Sequence, residues 1–261
     1  MIRIELDESE CLGWQSFDII PTIFPDKTSQ VWKLSPEYLD EDALVEIIWD
    51  FENESEFLHL AQLKMLLDHY GVKSRLKIMY LPYARQDKLI DNSNTFALHT
   101  FAKLLNSLEF QSIEIEDPHS ILAIEKIKNS RATYRLVSIH NAFSDTKSDI
   151  VCYPDKGAVS KYVNIVGLEP WIHGEKERDQ STGKIIKYNL IGDVKDKKVL
   201  VVDDICDGGM TFVLLSKVLY ESGAREVHLF VSHGIFSKGI QILKDAGIQR
   251  IFTKDGEIND K

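Results

Sequence analysis

Residues 198–212 read KVLVVDDICDGGMTF. Four apolar residues, Val199, Leu200, Val201 and Val202, run into the adjacent acids Asp203 and Asp204, and Asp207, Gly208, Gly209, Met210 and Thr211 follow. The pattern predicts a buried strand, a tight polar turn and a helix over 212–220 that stops at Gly223. Glycines let a backbone approach a ligand closely, and the amides at a helix start favour an anion such as phosphate. Ionised carboxylates have no proton to offer phosphate, so paired acids fit hydroxyls or a metal. A phosphate nest beside two carboxylates therefore suits a phosphorylated sugar, with the acids on its ring hydroxyls. The rival reading is an ordinary strand–turn–helix with solvated acids.

Three more apolar stretches end in reactive groups. Residues 78–81 run into Tyr83, Arg85, Gln86, Asp87 and Lys88; residues 113–116 run into Asp117, Pro118 and His119; residues 150–153 run into Pro154 and Asp155. In open parallel sheets, ligands collect beyond the carboxyl ends of strands. Arg85 suits a bidentate grip on phosphate, although a surface pair with Asp87 is the competing reading. His119 and Asp155 suit magnesium or its neighbourhood, while a lone histidine at a strand end also serves as a structural hydrogen-bonder. Lys176 and Arg178, in the charged stretch 171–184 (WIHGEKERDQSTGK), suit a clamp on a transferring phosphoryl group. Composition alone reads that stretch as a solvated loop.

The elements that must position these groups alternate. Strands are expected over 2–6, 44–51, 78–81, 113–116, 150–153, 185–191, 199–202, 227–232 and 250–253. Helices are expected over 57–70 (stopped by Gly71), 93–108 (capped by Ser93, Asn94 or Thr95), 121–128, 157–167 and 239–246. Residues 19–33 look like a loop entering a strand, and 138–149 (SIHNAFSDTKSD) like a polar domain boundary. The expected domains are 1–140 and 141–261. The alternation argues for parallel sheets. With 261 residues and 44% hydrophobic content, the chain has the material for one large or two modest cores. A net charge of -10 disfavours a nucleic-acid partner. Cys11, Cys152 and Cys206 show neither metal-ligand spacing nor a disulfide framework. Without a membrane-length apolar run or a signal-peptide pattern, a cytoplasmic protein is expected.

Taken together, PYARQDK at 82–88, DPHS at 117–120, YPDKGAVSK at 153–161, GDVKDKKVLVVDDICDGGMT at 192–211 and SHGIFSKG at 232–239 resemble ribose-phosphate diphosphokinases. The motifs fall in that family's order from about residue 20 to 253. The resemblance implies an α/β fold of two phosphoribosyltransferase-like (type I) domains, each a largely parallel sheet flanked by helices. It places the active site between domains and between subunits of a homo-oligomer, dimer or hexamer. The implied reaction moves the β,γ-diphosphate of ATP, with Mg2+, to the anomeric hydroxyl of a ribose carrying a 5-phosphate. Phe24 and Asp26, then Arg85, Gln86, Asp87 and Lys88, match ATP-binding motifs. His119 and Asp155 match the positions that hold the magnesium nucleotide. Lys176 and Arg178 match the basic pair of a mobile catalytic loop. Asp203, Asp204 and Asp207 match the ribose-binding acids, and Gly208, Gly209, Met210 and Thr211 the 5-phosphate loop. The alternatives are a phosphoribosyltransferase and a non-catalytic regulator of a true synthetase.

Three positions depart from the family pattern. Thr28 stands where the ATP motif carries an acid, Gly208 where the phosphate loop carries threonine, and Met210 where it carries glycine. The chain also ends soon after Thr253, where the family continues into a further strand and helix, so hexamer contacts and allosteric control are not implied. The bare Gly208 is expected to open room for a larger 5-substituent, as in ADP-ribose, which would connect the reaction to NAD metabolism.

Overall fold

A computed structural model describes residues 1–6, 15–31, 44–89, 93–178 and 185–258. Contacts divide the chain into two units, Met1–Tyr134 and Arg135–Lys261. Both are built by the expected rhythm, in which apolar strands alternate with helices that cover them.

The first unit contains β1 (Ile2–Leu6), β2 (Gln15–Asp18), the small hairpin β3 (Thr22–Ile23) and β4 (Ser29–Gln30), β5 (Leu44–Trp49), α1 (Glu56–His69), β6 (Lys73–Ile78), α2 (Ala97–Asn106), β7 (Ser112–Glu116), α3 (Leu122–Lys126) and β8 (Ser130–Thr133). Its main sheet runs β2-β1-β5-β6-β7-β8. β5 through β8 are mutually parallel, and β1 pairs antiparallel with both β2 and β5. Trp49, Leu60, Leu63, Leu76, Ile78, Leu105 and Ile115 form the centre of its core. The hairpin is docked on α1, where Gln62 donates from Nε2 to the Ser29 carbonyl (3.0 Å) and accepts the Val31 amide at Oε1 (2.8 Å).

The second unit contains α4 (Leu136–Thr146), β9 (Ile150–Tyr153), α5 (Lys156–Val166), β10 (Trp171–Arg178), β11 (Ile185–Ile191), β12 (Lys198–Cys206), α6 (Met210–Glu221), β13 (Glu226–Gly234), α7 (Gln241–Asp245), β14 (Ile248–Thr253) and β15 (Gly256–Glu257). The sheet order is β11-β10-β9-β12-β13-β14-β15. β10, β9, β12, β13 and β14 are parallel, while β11 and β15 are antiparallel edges. β12 and β13 are buried along most of their length, as strands covered on both faces must be. Val199, Val201, Leu215, Leu229, Val231 and Ile251 fill the core.

Several local expectations are corrected. The strand read over 78–81 is instead β6, because Ser74, Leu76 and Ile78 alternate inward while Met79 to Leu81 lead out of the sheet. None of Ser93, Asn94 and Thr95 caps α2; Phe96 occupies that position without a side-chain cap, and Asn94 Nδ2 donates to the Lys88 carbonyl at 3.2 Å. The polar stretch 138–149 falls mostly in α4, whose inward face is Ile139, Ala142 and Thr146. Residues 171–178, read as loop, form β10, which pairs with β11 on one side and with β9 on the other. Residues 179–184 of that stretch, and Cys11, lie outside the described residues. β12 does not stop at its acids but continues through Asp203 and Asp204 to Cys206.

His228, on β13, is 2% exposed, with Nε2 3.4 Å from Glu226 Oε2. Burial outweighs the carboxylate's pull and lowers the imidazole pKa. The unfolded chain therefore takes up a proton that the folded one resists, and stability should fall as pH drops through about 6.5. Urea denaturation at pH 8, 6 and 5 checks this: His228→Phe should flatten the acid-side decline, and an unchanged pH slope would contradict it.

Candidate functional site

The second unit gathers charge at the carboxyl ends of β9, β10 and β12. β9 ends at Pro154, and Asp155 then adopts extended backbone and caps α5, accepting the Ala158 amide at Oδ1 (3.0 Å). This is ordinary N-cap chemistry, in which a short acid satisfies an amide the helix leaves over. The other oxygen, Oδ2, accepts from Lys176 Nζ on β10 at 2.8 Å. Burial would raise the Asp155 carboxyl, but the Lys176 ammonium and the amides of Ala158 and Gly157 outweigh it and hold the pKa below its usual value. Lys156 and Glu175 form a second bridge alongside, at 2.8 Å. A cavity of about 510 Å³ opens here, lined by Asp155, Lys156, Gly157, Glu175 and Lys176.

On β12, Asp204 is 4% exposed and its Oδ2 accepts from Lys161 Nζ of α5 at 3.2 Å. Asp203 accepts the Asp204 amide at 3.0 Å. Burial first, then the charges of Asp204 and Asp155, push the Asp203 carboxyl well above the ordinary carboxylate range. The cluster thus carries three acids against two ammonium groups, and the missing charge falls on Asp203. A carboxyl displaced in this way is a candidate functional group.

Beyond Cys206 the chain turns into α6 through Asp207, Gly208 and Gly209. Gly209 has φ +74°, and a Cβ there would sit 3.0 Å from Leu243 Cδ2, so two constraints require glycine. The segment after β13 is bound to this turn. Ile235 and Phe236 donate to the Cys206 carbonyl at 2.9 and 3.1 Å, and Ser237 Oγ donates to Asp207 Oδ1 at 2.6 Å. Gly208 does not border empty space: a Cβ there would lie 3.6 Å from Lys238 Cε and 3.7 Å from Cδ. The room expected at this position is taken by a lysine stem. Met210 is half exposed and Thr211 partly buried in the first turn of α6.

In the first unit, the parallel neighbours β6 and β7 bring residues 82–88 and 117–119 to the same edge of their sheet. Tyr83 (φ +62°) tightens the turn, and Gln86 donates its amide to the Tyr83 carbonyl at 2.9 Å. The Tyr83 hydroxyl donates to Glu54 at 2.6 Å, and that bond, with burial, pushes its pKa to about 12. Arg85, Gln86, Lys88 and His119 are exposed, and Asp87 partly so. Phe24 and Asp26 occupy the loop of the β3–β4 hairpin, where Asp26 Oδ1 accepts both the amide (3.0 Å) and the hydroxyl (2.7 Å) of Thr28. Those bonds lower the Asp26 pKa. Thr28 therefore orients Asp26 rather than adding a second acid.

No group of three or more histidine, cysteine or acid side chains among the described residues forms a ready metal cage. Magnesium asks for less, since it keeps several waters and takes one or two carboxylates plus substrate phosphates. Asp155 fits that demand: it is a hard oxygen donor whose present partner is already a cation. Sequence reasoning assigned no role to Lys161, Glu175, Ser237 or Lys238. Lys161 reaches Asp204 through the packing of α5 against β12, which leaves no signal in the local sequence.

The fold and these strand ends define a phosphoribosyltransferase-type α/β protein. Residues 162–259 match the family model described as a phosphoribosyl transferase domain. The ribose-phosphate pyrophosphokinase of Pyrococcus abyssi is 31% identical over 172 residues, covering 64% of this chain and 59% of that relative. That of Saccharolobus solfataricus is 25% identical over 250 residues, covering 92% and 84%. The match thus spans less than two thirds of the Pyrococcus relative's own length. A phosphoribosylpyrophosphate synthetase structure from Mycobacterium smegmatis superposes with a TM-score of 0.73 at 21% identity, over 90% of this chain and 79% of that one, and shows the fold. The chain is thus similar to ribose-phosphate pyrophosphokinases along most of its length. Among the described residues, no helix is long and apolar enough to cross a membrane.

Lys161→Met would remove an ammonium from a buried acid, which should destabilise the protein by about 3 kcal/mol. A urea midpoint shift reads this out, and Lys161→Met combined with Asp204→Asn should recover most of it. A single variant as stable as the parent would show that the pair carries no weight.

Proposed function

We propose that the chain transfers the β,γ-diphosphate of ATP to the anomeric hydroxyl of a ribose bearing a 5-phosphate, releasing AMP. The observation that carries this is the second unit's cluster: Asp155, Asp203 and Asp204 facing Lys161 and Lys176, beside the Asp207–Thr211 turn. Carboxylates accept the hydroxyl protons of a sugar ring, and the amides of the α6 first turn take the phosphate. In this reading Phe24, Asp26, Arg85, Gln86, Asp87 and Lys88 bind ATP. Asp155 and His119 would hold magnesium with the nucleotide, and the metal's charge would offset the phosphate negative charge that repels an incoming hydroxyl.

Diphosphoryl transfer asks a protein mainly for positioning and charge compensation. The acceptor hydroxyl must reach the β-phosphorus in line with the departing AMP oxygen. Asp203 and Asp204 fix the ribose by its hydroxyls. Lys176 rests on Asp155 and must leave that carboxylate to meet a phosphoryl group. Arg178, at the end of β10, would arrive with it.

A second reading concerns the acceptor. Met210, at the start of α6, is exposed, so a 5-substituent larger than one phosphate, as in ADP-ribose, has a route away from the turn on that side. Mass spectrometry of products from magnesium, ATP and a panel of 5-substituted riboses separates the acceptors. ADP-ribose used at least as well as ribose 5-phosphate supports the larger acceptor, and a strong preference for ribose 5-phosphate rejects it. A phosphoribosyltransferase would release no AMP, and a regulator would turn over nothing. Cytoplasmic location and a dimer or hexamer belong to the same proposal.

Lys176→Ala should lower turnover by roughly 10³-fold with ATP affinity nearly unchanged. Asp203→Asn should chiefly raise the acceptor KM. Steady-state AMP release measures both; parallel loss of ATP binding in Lys176→Ala would make that lysine a docking residue instead.

A further inference from the structure

We infer that Lys238 is the side-chain cation that holds the acceptor's 5-phosphate, and that the bare Gly208 is the seat that lets it lie there. This rests on the proposed function and adds to it a specificity-determining residue.

Four lysines approach the strand ends of the second unit. Lys176 pairs with Asp155, Lys161 with Asp204 and Lys156 with Glu175. Each of those ammonium groups neutralises an acid of the protein itself. Lys238 differs: among the described residues no carboxylate lies within ion-pair distance of it. The nearest acid in sequence terms across the two turns, Asp207, is engaged by Ser237 Oγ at 2.6 Å. Lys238 is exposed, so its ammonium stays hydrated and free to meet a phosphate at the turn.

Its position is imposed by the backbone. The amides of Ile235 and Phe236 both donate to the Cys206 carbonyl, at 2.9 and 3.1 Å, and Gly239 donates to the Phe236 carbonyl at 2.7 Å. These bonds bind the segment after β13 to the turn before α6. The lysine stem then runs along Gly208, with Cε, Cδ and Cγ 3.6, 3.7 and 4.0 Å from where a Cβ would be. A methyl group would touch the stem at ordinary van der Waals distance. A threonine would add two more heavy atoms beyond that point and push the stem aside. A hydroxyl at 208 and an ammonium lying across 208 are therefore alternative ways to supply a phosphate donor, and this chain uses the second. The charged donor forms the stronger bond and adds the positive field a multiply charged 5-substituent needs.

The test is steady-state AMP release at saturating magnesium-ATP with ribose 5-phosphate and ADP-ribose varied separately. Lys238→Met keeps the stem without its charge and should raise the acceptor KM about 10–100-fold, with the ATP KM within about twofold. Lys238→Arg should recover most of the loss. Gly208→Thr should weaken the acceptor by displacing the stem, and adding Lys238→Met to it should cost little more. An acceptor KM unchanged in Lys238→Met overturns the assignment. A parent protein that releases no AMP with either sugar overturns the proposed function instead. Lys238 is then judged by calorimetric titration with inorganic diphosphate: weaker binding to Lys238→Met supports its role, and equal binding to both proteins rejects it.

Discussion

Carboxylates crowd the strand ends of the second unit, and their mutual repulsion is the constraint on which the site depends. Asp155, Asp203 and Asp204 come together because β9 and β12 are parallel neighbours whose chains end at the same sheet edge. Like charges brought out of water cannot all stay ionised without compensation. Lys161 supplies one positive charge from α5 and Lys176 another from β10. The third acid, Asp203, answers by holding its proton more tightly than a free carboxyl does. A substrate that donates hydroxyls to acids and brings phosphate to ammonium groups relieves that imbalance. The same groups thus both crowd one another and suit the proposed ligand.

Parallel topology does the positioning. β9, β12 and β13 each lead into a helix, while β10 is followed by the antiparallel β11, so acids, amides and lysines are delivered from residues far apart in sequence. α5 contributes both the helix start that Asp155 caps and the lysine that reaches Asp204. β13 contributes the segment whose amides clasp the Cys206 carbonyl and whose serine engages Asp207. The first unit repeats the plan with β6 and β7, which bring residues 82–88 and 117–119 to one edge of their own sheet.

That strands lead toward these acids was legible in the sequence, because an apolar run that meets charge has few other meanings, although β12 runs on through its acids to Cys206 and β6 ends at Ile78. Asp155 as a turn residue and the 198–221 strand–turn–helix followed from that pattern, as did Gly167 ending α5 with φ +65°. Residues 171–178 were not legible: their charges suit a solvated loop, yet a strand pairs with its neighbours through its backbone, whatever the polarity of its side chains. α4 was hidden similarly, since Ile139, Ala142 and Thr146 present a small apolar face amid polar residues. Pairings such as Lys161 with Asp204 depend on sheet order, which no local spacing states. The Gly208 expectation failed for the same reason, because the lysine that fills its space comes from another strand's turn, 30 positions later.

The central claim is that ATP gives up an intact diphosphate to a sugar's anomeric oxygen. A phosphorus-31 NMR time course with magnesium, ATP and a 5-phosphorylated ribose tests it most directly. The account predicts loss of the ATP resonances with equal gains of AMP and of two coupled phosphorus signals from a diphosphate on the sugar. Accumulation of ADP and orthophosphate, or no change in a folded protein, would contradict it.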